Sequence, residues 1–208
     1  MGKGALISIG AMVAIFAGLL VFTKTTNPEV TSEGSNNVYG KQDSKVTLTE
    51  YVDFQCEACY AFYPTVKEVK EKYKDKVKFQ IKNFPISSSH QFARRAASYA
   101  EAAAMQGKFF EMHDRIFEGQ KMWEKSKNPE EYFDDYAKEI GLDMAKLKED
   151  VASPLVNAVI NADLAEVKKL GGDGTPTFAL NGKKIENPEN TVDAFTLCLL
   201  YTSPSPRD

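Results

Sequence analysis

Histidine, tryptophan and cysteine are scarce in this chain: two, one and three in 208 residues. The two histidines, His90 and His113, stand far apart, and no second C-x-x-C or H-x3-5-H exists to complete four ligands, which weakens a zinc reading of the single cysteine pair. Charge of one sign is also missing. The formal net charge is −3, and no basic stripe interleaved with aromatics runs through the sequence, which argues against a nucleic-acid partner. The balance does not imply an acidic substrate either. The lone tryptophan, Trp123, reads as a packing residue rather than a cofactor contact, and Arg94-Arg95 as a solvated face. The length suits one core of ordinary size.

What is present is a pair of thiols two residues apart, Cys56-Glu57-Ala58-Cys59, where the strand-like run Val46–Phe54 meets a helix-like one. In the first turn of a helix, cysteines at this spacing are neighbours and can close a short disulfide. The unpaired N–H groups and positive dipole end of that turn stabilise a thiolate on the first of them. Cys56 is therefore read as the nucleophile and Cys59 as the resolving thiol. The same spacing also serves half a zinc site or a chance pair of buried cysteines.

Further on, Gly174-Thr175-Pro176-Thr177-Phe178 leads through Ala179-Leu180 into Asn181-Gly182. A proline opening a strand before an Asn-Gly hairpin sits where proline is tolerated and a cis bond is accommodated; a loop proline starting an edge strand is the plainer reading. Together, the two features resemble the thioredoxin superfamily. The runs Asp53-Phe54-Gln55-Cys56, Phe84-Pro85, His90-Gln91-Phe92-Ala93, Lys108-Phe109-Phe110 and Met112-His113-Asp114 resemble its DsbA-like branch over about residues 38–197. That resemblance implies an α/β thioredoxin-like fold with a helical insertion, at about 89–170. It also implies a cis-proline loop, Thr175-Pro176, packed against the Cys56–Cys59 disulfide.

The rest of the domain follows the same plan. Phe62, Val66, Val69 and Tyr73 fall at helical spacing, and Val77–Asn83 alternates as a strand. Breaks near Gly107, Asn128-Pro129, Gly141 and Ser153-Pro154 divide the helical region. Glu50 shares a strand face with Val46, Leu48, Val52 and Phe54, so it is expected to be buried with a raised pKa. The resemblance implies that such an acid moves protons to and from the second cysteine, with Lys78 named as its charge partner. His90 is expected to cap a helix or face solvent, and His113 to be structural. Glu57, between the cysteines, is expected to oppose the Cys56 thiolate and make the protein a milder oxidant than relatives with a proline–histidine pair there.

The ends differ from the middle. Gly4–Thr23 holds no charged residue, so residues 1–24 read as one uncleaved transmembrane anchor rather than a cleaved signal peptide. The domain then lies on the extracytoplasmic side of the cell membrane. Residues 25–37 read as a flexible linker. From Cys198 to Asp208 the sequence departs from the preceding helical pattern and back-translates to something resembling library-adapter DNA, so 198–208 reads as a non-native tail and the native helix as cut near Leu197.

The expectation is thus a membrane-tethered thiol–disulfide oxidoreductase that introduces disulfides into exported proteins carrying free thiols, without metal or organic cofactor. The resemblance implies a membrane reoxidant of the DsbB or VKOR type. A reductase or isomerase, or a redox-inert binding or chaperone module, are the alternatives.

Overall fold

The computed structural model describes residues 30–201. The expected anchor, the first part of the 25–37 linker and the end of the tail lie outside the described residues. Among the described residues no helix is long and apolar enough to cross a membrane.

Five strands, β1 (Asn37–Gly40), β2 (Thr47–Val52), β3 (Lys78–Asn83), β4 (Thr177–Leu180) and β5 (Lys183–Lys184), form one sheet in the order β1-β3-β2-β4-β5. β2 runs parallel to β3, through the crossover helix α1 (Glu57–Tyr73), and antiparallel to β4. Its central place explains why residues of both parities along it are buried, Thr49 and Tyr51 as well as Leu48 and Glu50. One sheet face, with Leu48 and Phe178, packs on Val66 and Val69 of α1 and on Phe195 of α8 (Val192–Tyr201). The other, with Tyr51 and Ala179, packs on Val167 of α7 (Pro154–Lys169). The β4–β5 turn places Asn181 and Gly182 at φ of 50° and 75°, as a tight hairpin of this twist requires.

Between β3 and β4 lies the helical insertion: α2 (Ala93–Ala104), α3 (Phe109–Glu118), α4 (Gln120–Trp123), α5 (Pro129–Glu139), α6 (Met144–Val151) and α7. The alanine-rich α2 is buried nearly all round, which small side chains permit, and forms the axis on which the others pack. Trp123 is fully buried against Phe133. Asp143 and Ser153 cap α6 and α7 through the N–H groups of Lys146 and Val156, and Pro154 opens α7.

One expectation about the ends needs correction. The linker was expected to stay loose to Asn37, but Ser35 and Asn37 are buried. Ser35 donates from N and Oγ to Asp163, at 2.9 and 2.8 Å, and the Asn37 amide donates to Glu101 at 2.8 Å. At the other end, the last helix runs on past Leu197 into the segment read as a non-native tail. It continues to Tyr201, because Leu199 falls four residues after Phe195 and buries on the same stripe.

Candidate active site

Cys56 is the N-cap residue of α1, extended at φ −73° and ψ 126°, and its carbonyl accepts the first helical bond from Tyr60 N. Its side chain is half-buried, whereas Cys59, one turn on, is fully buried. The pair stands in the dithiol form. Opposite it, the Thr175–Pro176 bond is cis, and the Cys56 thiol donates to Thr175 O at 3.4 Å. The structure therefore brings together Cys56, Cys59, Thr175 and Pro176, from opposite ends of the domain.

The two thiols have opposite electrostatic surroundings. A hydrogen bond from Cys59 does most to lower the Cys56 pKa; against the opposing effect of burial, Thr175 and the N–H groups of Cys59 and Ala58 carry it down to about 5. The Thr175 hydroxyl is buried without a partner in the dithiol form, and so is free to donate once the thiolate exists. Burial pushes the Cys59 thiol up, and its hydrogen bond to Cys56 and the Cys56 charge push the same way.

Glu50 is buried on β2, paired with Ile81 and Phe178, and burial raises its carboxyl to about 7. Its charge also acts on Cys59. The expected partner Lys78 is wrong. It lies three residues from Ile81 along β3, an odd step that turns its side chain to the opposite sheet face. The neighbouring cation is Lys70 of α1, itself buried and pushed down by that burial. Lys70 continues the inward stripe Cys59-Val66, a signal present in the helical spacing but masked by its charge.

Glu57 also departs from expectation. Its side chain is 83% exposed and faces Lys121 Nζ at 3.4 Å, and it is not among the leading influences on Cys56. His90 is neither a cap nor free in solvent, since its Nδ1 lies 2.8 Å from Asp53 Oδ2. The fully buried Asp53 also accepts from Gln55 N and Ile86 N, while its own N–H points at Cys59 Sγ, 3.5 Å away. Gln120, unnoticed in the sequence, donates its amide to Phe54 O at 2.8 Å and Cys56 O at 3.1 Å, so the insertion grips the strand–helix junction. Arg94 and Arg95 are half-buried and bonded to Asn161 and Glu130.

A cleft of about 350 Å³ beside Tyr60, Tyr63 and Pro64 opens one turn along α1 from Cys56, and a second of about 220 Å³ follows the Thr175–Pro176 loop. Among the described residues no cluster of His, Cys, Asp and Glu is arranged to hold a metal ion.

Comparison with known proteins agrees with this geometry. The thioredoxin-like oxidoreductase from Silicibacter pomeroyi DSS-3 is 29% identical, with a TM-score of 0.61 over 71% of this chain and 81% of that one. Oxidised BdbD from Bacillus subtilis is 24% identical, with a TM-score of 0.70 over 84% and 98%, a likeness of fold. A Na(+)/H(+) antiporter NhaA 3 of Salinispora tropica is 31% identical over 172 residues, 83% of this chain and 25% of that protein. The chain thus spans about a quarter of the length of the curated relatives it matches. A family model described as Thioredoxin matches residues 32–197. The chain belongs to the thioredoxin family, with a helical insertion between β3 and β4.

Proposed function

We propose that this protein is a thiol–disulfide oxidoreductase that introduces disulfides into exported proteins. The carrying observation is the asymmetry of its thiols: Cys56 lowered to about 5 and half-buried at a helix start, Cys59 raised and fully buried. In the oxidised protein, a substrate thiolate attacks Cys56 Sγ; the Cys56–Cys59 bond breaks, and Cys59 leaves with the electron pair and takes a proton. A second substrate thiolate then attacks the substrate sulfur of the mixed disulfide. The substrate leaves oxidised and Cys56 leaves as its stabilised thiolate. The Thr175–Pro176 loop and the clefts flanking Cys56 offer an extended substrate segment a place to lie.

Cys56 supports that direction. A low nucleophile pKa stabilises the reduced form, which makes the disulfide oxidising. Equilibration with glutathione tests this. A potential well above the about −270 mV of thioredoxin supports oxidation, and one at or below it assigns the reductase role instead. An exchange-inert disulfide would leave a binding module.

The placement reading is that residues 1–24 anchor the protein in the cell membrane with the domain on the extracytoplasmic side, where disulfides persist. A membrane reoxidant of the DsbB or VKOR type then restores the disulfide. Carbonate-resistant membrane retention of the full chain, with protease access to the domain from outside, is the expected result.

A further inference from the structure

Below the cysteine pair lies a buried histidine that the exchange steps above do not use. His113 of α3 is walled by Phe54 and Phe117, at ring-centroid distances of 5.6 and 5.0 Å. Its Nδ1 lies 2.9 Å from Asp114 Oδ1, while its Nε2 is buried with no hydrogen-bond partner. A phenylalanine would fill such a site without orphaning a polar atom. His113 and Glu50 also line one small cavity of about 10 Å³, together with Tyr63, Lys67 and Lys70. That volume is at the threshold for a single water.

The protonation pattern is directional. Burial pushes Asp114 up, but the bonds from His113 and from Lys67, at 2.9 Å, outweigh it and hold the carboxyl well below its usual range. An ionised Asp114 makes Nδ1 the protonated ring nitrogen and leaves Nε2 a bare acceptor. Burial keeps the ring neutral. Asp114 is itself partly exposed. The charged and titratable groups around the ring are Glu50 from β2, Tyr63, Lys67 and Lys70 from α1, and Asp114 from α3.

We propose that His113 is a positioning residue for the chemistry of Cys59: it holds a water between Nε2 and the Glu50 carboxyl and so joins that buried acid to Asp114 and solvent. This rests on the exchange reading given above. When Cys59 attacks, its S–H proton goes to the Glu50 carboxylate, the Cys59–Cys56 bond forms, and the departing sulfur takes the electron pair. Glu50 passes its proton through the water to Nε2, and Nδ1 releases one to Asp114 and solvent. One proton has left and the imidazole has changed tautomer. Reduction, in which Cys59 regains a proton, runs the path backward and restores the tautomer, so the redox cycle closes the proton cycle.

The test uses the full chain with Cys56 held as a glutathione mixed disulfide, and follows by stopped flow its displacement by Cys59. His113→Gln is expected to slow this step by about tenfold or more. The wild-type rate is expected to rise and level near pH 7, where Glu50 ionises. In the variant Glu50 still takes the Cys59 proton, so the inflection is expected to remain while the plateau falls. Asp114→Asn, at the exposed end of the path, is expected to slow the step as well without disturbing the aromatic core. Glu50→Gln with His113→Gln is expected to be no slower than Glu50→Gln alone, since both lie on one path. An unchanged rate and pH profile in Asp114→Asn and in folded His113→Gln, or independent multiplicative losses in the double variant, overturns the proposal. Absence of any glutathione exchange in the wild type overturns the exchange reading and this proposal with it.

Discussion

The Glu57 carboxylate, one residue from Cys56, stands out in solvent and meets Lys121 Nζ at 3.4 Å. The pair is exposed, so its own contribution to stability is small, and Lys121 and solvent screen the carboxylate's charge. Glu57→Gln is therefore expected to leave the Cys56 pKa at about 5. Thiolate absorbance during a pH titration checks this. A clear fall in the pKa would mean that the carboxylate does bear on the sulfur.

Cys59 has the larger hold on Cys56. Removing its hydrogen bond in Cys59→Ala is expected to move the Cys56 pKa from about 5 toward the ordinary thiol range, by the same absorbance measurement.

In exchange assays, Cys56→Ser is expected to abolish disulfide transfer. Cys59→Ser is expected to keep a reactive Cys56 whose mixed disulfide with glutathione persists, because nothing displaces it from within. Mass spectrometry of the trapped species distinguishes the two. Full activity in either variant would remove the roles given to these thiols.

Glu50 ties stability to pH. Folded, it holds its proton to about 7; its ordinary value is 4.5. Below the lower value both states carry the proton. Between the two the folded chain alone keeps it, so stability falls as pH rises through that window and levels above it. The loss amounts to roughly 3 kcal/mol. Urea unfolding across this range should show a shallower fall in Glu50→Gln; the remainder belongs to groups such as Glu101, raised by burial to about 7. An equally steep fall in the variant would show that Glu50 is not protonated in the fold.

Asp163 is fully buried and accepts from Ser35 N and Oγ and from Asn83 N and Nδ2, with Lys82 Nζ at 3.7 Å. Asp163→Ala leaves those donors and Lys82 unanswered, at an expected cost of about 3–5 kcal/mol. Hydrogen exchange should show β1 losing protection first. Uniform loss over the whole sheet would instead mean that Asp163 serves the core and not the strand.

The sequence is informative where chemistry is local. The C-x-x-C at a strand end, the Thr175-Pro176 turn into Asn181-Gly182, and the breaks at Asn128-Pro129, Gly141 and Ser153-Pro154 each act through neighbours a few residues away, and each coincides with an element boundary. Glu50 was legible because period-two alternation places it among apolar residues, and it is buried there. What escaped depends on contacts across the fold. Lys70 and His113 lie on apolar helical stripes where a polar side chain reads as an interruption, and only the packing of α1 against β2 and α3 turns them toward Glu50. Gln120 meets the carbonyls of Phe54 and Cys56 across more than sixty residues of chain, a pairing with no local signature. The loose composition before Asn37 likewise hid the two serine bonds to Asp163, whose partner comes 128 residues later.

Those serine bonds decide how the domain answers to tension. A pull on the chain ahead of Ser35 meets the side chain of α7 before it meets the ladder between β1 and β3. Asp163 passes the force to the Asn83 backbone at the end of β3, so strand and helix are loaded together and the β1 ladder is shielded from peeling one bond at a time. The domain is thus moored by its interior, and because Asn83 pairs with Val52 at the end of β2 that leads to Cys56, the mooring ends at the same edge of the sheet as the thiols.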